Sequence, residues 1–368
     1  LKDFCVLVES KQHTSRRHNA VLEPKYETNY IPVTYAQNRL LFLYQLNKTS
    51  TEYNIAGDLI LSGELNEEAF QEAYKNVIWK NQSLRTIFFK ENDKYYQKIV
   101  EDIENYALEI LYESNADTIS QYIEETKHFQ FNLFQGPLIK SRLIRTTEKE
   151  YILSFSVHHI ISDGWSISLL VDEWSEEYNR ILAGKERTKV SNLQFSDYAI
   201  WSAENIQGKK LDELDKYWKN RLGDSQNDVI SIVSDYKRPA KMTNRGKVFY
   251  MKLNEDLSEK LHEVCAKEHA TLFMVLLSSF NILQSKLTGK KRFNVGIPVA
   301  GRNMEDTQRM MGMFINTIVN HTDITLEQSY AEYLQNVRRE VVEDIEHQEM
   351  PFERLVEITN PERNMRSE

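Results

Sequence analysis

The 368 residues exceed what one hydrophobic core usually serves, so two lobes are expected. Hydrophobic residues make up 41% and aromatic residues 11%, enough for a packed interior, which excludes general disorder. A formal net charge of −9 argues against a nucleic-acid binder, which would carry a basic face, and fits a soluble cytoplasmic protein.

The opening Leu1–Lys11 spaces Leu1, Phe4, Cys5 and Val8 as a helix does, and Ser10 to Asn29 is polar and aperiodic, a linker. Because Leu1 rather than Met comes first, the chain reads as cut from a longer one. Cys5 and Cys265 stand far apart with no CxxC or Cys/His pattern, which points to free thiols and no metal site.

From Ile31 onward the pattern is that of a folded domain. A strand is predicted over Gly57–Gly63, then a helix capped by Asn66 with Phe70, Ala73, Val77 and Ile78 on its apolar face. Short strands follow at Thr86–Phe89, Tyr95–Val100 and Ala107–Leu111, a helix near Thr118–His128, and strands at Leu138–Arg145 and Tyr151–Val157. In the last of these, Ile152, Ser154 and Ser156 alternate with Tyr151, Leu153, Phe155 and Val157, so one face is strongly apolar. Ser166–Leu182 reads as a helix. The second half is predicted as helices at Leu211–Leu222, Leu257–His269, Leu272–Leu287 and Leu326–Glu346, with strands at Lys247–Leu253 and Phe293–Pro298. The apolar stretch Ala270 to Leu283 is too short and polar to span a bilayer and reads as a buried helix. Mixed elements of this kind predict a layered α/β fold, divided near Leu193–Gly208.

The densest chemistry lies in Val157-His158-His159-Ile160-Ile161-Ser162-Asp163-Gly164-Trp165-Ser166, where a predicted strand ends and a helix begins. A helix N-terminus offers free N–H groups to developing negative charge, and glycine allows close approach to the backbone. Taken alone, HHxxxD has three readings: a reaction centre, a hydrogen-bonded strand end, or two ligands of a metal that lacks an obvious third ligand.

Five further segments stand in a fixed order around it. They are Thr34-Tyr35-Ala36-Gln37-Asn38-Arg39-Leu40-Leu41-Phe42-Leu43, Ser83-Leu84-Arg85-Thr86-Ile87-Phe88, Phe195-Ser196-Asp197-Tyr198-Ala199-Ile200-Trp201, Met311-Gly312-Met313-Phe314-Ile315-Asn316-Thr317 and His347-Gln348-Glu349-Met350-Pro351-Phe352-Glu353. With the HHxxxDG pattern, the set resembles the condensation domains of nonribosomal peptide synthetases. Thr34, Leu41, Lys80, Asn81, Gln82 and His321 depart from that family's pattern, and its last segment is only echoed by Arg363-Asn364-Met365-Arg366-Ser367.

The resemblance implies two chloramphenicol acetyltransferase-like lobes in a V-shaped pseudo-dimer, with a carrier-domain tail and linker over 1–29. It places an N-terminal lobe over 30–200 and an incomplete C-terminal lobe over 201–368. It implies an acyltransferase that joins a donor thioester on an upstream peptidyl carrier protein to the amine of an aminoacyl thioester on a downstream carrier. Both substrates would ride on 4'-phosphopantetheine, with no cofactor or metal bound by the domain itself. A neighbouring adenylation domain is implied, no membrane or nucleic acid, and a monomeric module within a larger chain.

His159 is the expected catalytic residue and the Gly164 N–H the expected oxyanion donor. His158 and Asp163 are expected as scaffold, with Arg302 as first and Arg85 as second candidate partner for Asp163. Trp165 and Asn316 are expected along the substrate channel, with packing an equal alternative for Trp165. The Asp163–Ser166 and Tyr53-Asn54-Ile55 neighbourhoods look like the subtype joining an L-donor to an L-acceptor. Competing readings are an epimerase relative, against which Trp165-Ser166-Ile167 speaks, a stand-alone coenzyme A-type acyltransferase, and a silent docking domain, which would usually have lost the histidine or glycine.

Overall fold

The computed structural model describes residues 22–24, 30–223, 230, 232, 235–236, 246–325 and 327–359. The predicted tail over Leu1–Lys11, the linker to Asn29 and the echo at Arg363–Ser367 lie outside the described residues, apart from residues 22–24. The chain forms two compact units. One runs up to Gln207 and includes Ala300–Ile315, and the other comprises Gly208–Val299 and the chain from Asn316. The segment 300–315 therefore groups with the first unit rather than with 201–368. The physical reason is the set of buried polar contacts through Arg302 and Phe314 described below.

In the first unit, strand β1 (Ile31–Pro32) is followed by helix α1 (Tyr35–Leu46). A reciprocal capping box starts that helix, in which the Thr34 hydroxyl accepts from Gln37 N and the Gln37 side chain accepts from Thr34 N. Next come β2 (Asn54–Ser62) and α2 (Glu67–Lys80), where Asn66 Oδ1 accepts from Ala69 N and the predicted apolar face is buried. β3 (Thr86–Glu91) and β4 (Lys94–Ile99) form a hairpin whose turn residues Asn92 and Asp93 have φ of 47° and 61°, as a twisted two-residue turn requires. Then follow β5 (Glu109–Tyr112), α3 (Ala116–Lys127), β6 (Ile139–Arg145), β7 (Glu150–His158), α4 (Gly164–Leu182) and α5 (Phe195–Asn205).

The strands make a three-stranded sheet of order β1-β4-β3 and a four-stranded sheet of order β2-β7-β6-β5. All pairs are antiparallel except β5 with β6. β7 is central, and its serines are as buried as its apolar residues, so the predicted one-sided strand is covered on both faces. On the serine side Ser154 Oγ donates to Asp58 Oδ1 at 2.8 Å and Lys127 of α3 pairs with Asp58 at 3.0 Å, while Ser156 Oγ has no hydrogen-bond partner among the described residues. The other side joins a continuous core that includes Phe70, Leu143, Leu153, Phe155 and Trp174. Trp174 stacks on Phe70 at 4.8 Å and donates its indole N–H to the Phe70 carbonyl.

The second unit contains α6 (Gly208–Leu222), α7 (Glu255–Lys267), α8 (Leu272–Thr288), the antiparallel pair β8 (Arg292–Val299) and β9 (Asn316–Asp323), α9 (Tyr330–Glu346) and α10 (Phe352–Thr359). Three expectations are corrected here. Lys247–Leu253 forms no strand, and Val248 to Met251 are 69–89% exposed; β propensity alone does not make a strand without a neighbour to complete its hydrogen bonds. α8 is only half buried: Met274, Val275 and Leu277 face inward, while Leu276, Phe280, Leu283 and Leu287 are exposed. α9 starts at Tyr330, later than predicted, because Ser329 and Glu332 form its capping box. Among the described residues no single helix is long and apolar enough to cross a membrane.

Candidate active site

β7 ends at His158, a single 3-10 turn carries His159–Ile161, and α4 starts at Gly164, all in the first unit. His158 is buried, and its ring meets Phe131 edge-on at 6.1 Å. Its Nδ1 accepts from Ile160 N at 3.1 Å, so this nitrogen is an acceptor and the ring is neutral with its proton on Nε2. Burial, and secondarily the neighbouring His159, lower its pKa to about 3.

His159 is half-buried on the same turn. Its backbone N–H donates to the Tyr53 carbonyl at 2.7 Å, while the Ile160 carbonyl of the turn accepts from Gln37 Nε2 at 3.1 Å. Its Nδ1 is enclosed and, among the described residues, has no hydrogen-bond partner and no carboxylate to orient the ring from behind. Nε2 is then the nitrogen through which this side chain can act. Gly164 is exposed at the first position of α4, and an added Cβ there would meet nothing within 4 Å. Its N–H belongs to the first turn, which has no intrahelical acceptor.

Asp163 caps α4 and is 3% exposed. Oδ1 accepts from Ser166 N at 2.8 Å and Ser166 Oγ at 2.7 Å, Oδ2 accepts from Phe314 N at 3.1 Å, and Arg302 Nη2 approaches the two oxygens at 3.0 and 3.3 Å. Arg302 also donates to the Thr307 and Met310 carbonyls and lies 4.1 Å from the Phe314 ring. Burial pulls its guanidinium below the usual arginine range, and the Asp163 carboxylate opposes that shift. Two glycines let this segment approach closely. A Cβ on Gly301, at φ +67°, would fall 1.9 Å from Phe314 O, and one on Gly312 would fall 2.1 Å from Phe195 Cδ2.

Arg85, the second candidate partner for Asp163, is engaged elsewhere. It donates to the Val100 and Trp79 carbonyls and lies over the Trp79 ring, tying the start of β3 to the end of β4. Trp165 donates its indole N–H to the Gln308 carbonyl at 3.0 Å. Asn316 stands in the second unit, where Nδ2 donates to the Gln348 and Met350 carbonyls, both at 2.7 Å, so its amide protons hold a turn. Sequence reading passed over Gln37 and Ser166. The Thr34–Gln37 capping pattern and the third helical position after Asp163 were the available signals. Among the described residues no group of three metal-binding side chains comes together.

The profile of the Condensation domain family matches residues 27–368. One of the linear gramicidin synthase proteins of Brevibacillus parabrevis is 34% identical over 350 residues, covering 94% of this chain but 4% of that protein. The crystal structure of a four-domain nonribosomal peptide synthetase bound to AMP and glycine superposes with a TM-score of 0.80 at 25% identity, over 96% of this chain and 26% of that one. The X-domain from teicoplanin biosynthesis superposes with a TM-score of 0.82 over 95% of this chain and 77% of that one. At 22% identity this last likeness shows the α/β fold alone.

Proposed function

Since this chain belongs to the condensation domain family of nonribosomal peptide synthetases, we propose that it forms an amide between two carrier-bound thioesters. The donor acyl or peptidyl group arrives on an upstream carrier, and an aminoacyl group on a downstream carrier supplies the amine. An adenylation domain loads the acceptor, and both chains are of L configuration. The module works in the cytoplasm.

One observation carries this reading: His159 is fixed by its backbone at a strand-to-helix turn with Nδ1 enclosed, which leaves Nε2 to work on the same turn that leads to the exposed Gly164 at the start of a helix. The acceptor ammonium titrates near ~8, so a modest base or hydrogen-bond acceptor is enough to present it as a free amine. Nε2 takes that proton or orients the amine. The nitrogen attacks the donor thioester carbonyl, the Gly164 N–H stabilises the oxyanion, the C–S bond breaks, and the thiol leaves protonated on the upstream pantetheine. Asp163 and Arg302 hold the loop in shape and take no part in the proton transfer. Phosphopantetheine is substrate carrier here, and the domain itself needs no bound cofactor.

The test is His159→Ala with loaded carriers. The expected result is a folded protein whose transfer rate falls by roughly 10²–10⁴-fold. Transfer at the unmodified rate would remove His159 from the mechanism, and absence of transfer by the unmodified protein would favour a docking role.

A further inference from the structure

The Ser166 side chain is 1% exposed and touches four polar groups. Two can only accept, Asp163 Oδ1 at 2.7 Å and the Gly312 carbonyl at 2.9 Å. Two can only donate, Arg302 Nη2 at 2.9 Å and Gly312 N at 3.0 Å. A hydroxyl has one proton and two lone pairs. Its lone pairs satisfy the two donors, and its single proton serves one of the two acceptors. The shorter contact is to the carboxylate, so Asp163 holds the proton at the expense of Gly312 O.

Neither side of this contact has room to give. Gly312 is pressed against Phe195 so closely that no side chain fits, and Arg302 is already committed to two further carbonyls. Ser166 is also the third residue of α4, two positions after Gly164. Its backbone N–H is the one capped by Asp163, and its hydroxyl is bound to Gly312 of the returning segment. The orientation of the first helical turn is therefore set jointly by the Asp163 cap and by a segment that returns from far along the sequence.

We propose that Ser166 is a positioning residue for acyl transfer. It aims the Gly164 N–H by locking the first turn of α4 to the segment Ala300–Ile315. This rests on the condensation reading above, in which that N–H meets the oxyanion. A serine that merely capped a helix would need only one of its four contacts, and its loss would lower stability without changing turnover per folded molecule.

The experiment compares Ser166→Ala and Ser166→Thr with the unmodified protein in two measurements. With loaded donor and acceptor carriers well below the unfolding temperature, Ser166→Ala is expected to lower kcat by about 10- to 100-fold, the loss that a misplacement near 1 Å produces, with KM for both carriers unchanged. Ser166→Thr, which keeps the hydroxyl, is expected to recover most of that loss. Unchanged kcat per folded Ser166→Ala molecule overturns the proposal. Hydrogen exchange provides the second measurement and needs no activity. The amides at positions 166 and 167, which Asp163 accepts, are expected to exchange faster in Ser166→Ala while Leu170–Leu182 keep their protection. Equal protection in the first turn, or uniform loosening of the whole helix, overturns the proposal. If the unmodified protein transfers no acyl group, the functional reading fails separately, and the exchange result still decides whether Ser166 orders this turn.

Discussion

In the first unit Asp163 meets Arg302, and in the second Asp344 meets Arg221; both carboxylates are buried, yet their surroundings differ. Asp163 has donors on both oxygens, from Ser166, Arg302 and the Phe314 backbone. Asp344 receives Tyr217 O–H at 2.9 Å and Arg221 Nε at 3.1 Å on Oδ1, while among the described residues Oδ2 makes no regular hydrogen bond and the Asn320 amide helps only to hold the carboxyl down. Arg221 also divides its charge with Glu340 at 3.1 Å. Burial accordingly raises the Asp344 carboxyl above its usual range, against the pull of Arg221, and burial together with Asp344 raises the Tyr217 phenol. The lesson is that a buried ion pair is worth what its remaining lone pairs find. Desolvation acts in both places, and the Asp163 carboxylate is the better compensated of the two, although Arg302 Nε is itself buried without a hydrogen bond among the described residues.

The same isosteric change at both positions tests this most strongly. Asp163→Asn puts an N–H₂ where Phe314 N and Arg302 already donate, leaving a buried guanidinium without its counter-charge. Urea unfolding should show a loss on the order of 3–5 kcal/mol. Asp344→Asn removes a charge that burial already disfavours while keeping an acceptor for Tyr217 and Arg221. Its cost should stay within about 1 kcal/mol. Equal losses would erase the distinction, and an Asp163→Asn protein with an intact unfolding midpoint but no transfer would move Asp163 into the chemistry.

Acid should separate the units next. His158 is neutral in the fold with a pKa of about 3, whereas a free imidazole titrates near ~6.5. A base whose folded pKa is depressed lets the unfolded chain bind the proton first. Its contribution is therefore present above ~6.5 and is lost as pH falls towards 3. Asp344 has the opposite sign. An acid with a raised folded pKa costs stability while ionised, and that cost is relieved as pH falls through the raised value. Hydrogen exchange followed between about pH 7 and 5 should show protection around β7 falling before protection around α9. His158→Gln, which keeps an acceptor for Ile160 N, should flatten the pH dependence in the first unit, by up to a few kcal/mol across the whole window. An unchanged profile would mean that another group governs the acid response.

How far these differences could be read from residues alone varies along the chain. Helix α2 was legible because Asn66 and the Phe70–Ile78 spacing act locally. The strand-to-helix turn was legible because His158 to Ser166 is one uninterrupted run. Arg302 could be named as a candidate from its residue type, but its preference over Arg85 is decided by Gly301 and Gly312, which let the returning segment come close. β9 was not foreseen, since Asn316–Asp323 mixes polar and apolar residues whose burial depends on helices far away in sequence. Lys247–Leu253 was over-read because the run Val248-Phe249-Tyr250-Met251 records only a β propensity, and pairing needs a second strand. His158 neutrality was invisible, since it follows from burial and from one backbone N–H.

The smallest expected effect is at an exposed leucine of the second unit, set against a buried one of the first. Leu143 on β6 is fully enclosed in the core of the first unit, while Leu283 on α8 of the second unit is 53% exposed. Deleting most of a buried leucine removes its transfer energy and leaves a cavity, so Leu143→Ala should cost about 2–5 kcal/mol. At Leu283 the side chain already meets water, and Leu283→Ser exchanges exposed hydrocarbon for a hydroxyl within a helix. The two effects nearly cancel, and the unfolding midpoint should correspond to a change within about 0.5 kcal/mol. Because Leu276, Phe280, Leu283 and Leu287 repeat at helical spacing, the serine also interrupts a contiguous apolar stripe. Binding of an apolar fluorescent dye should therefore fall while stability holds. A loss above about 1 kcal/mol would mean that the stripe is covered in solution, and the second unit would then resemble the first in how it treats its apolar faces.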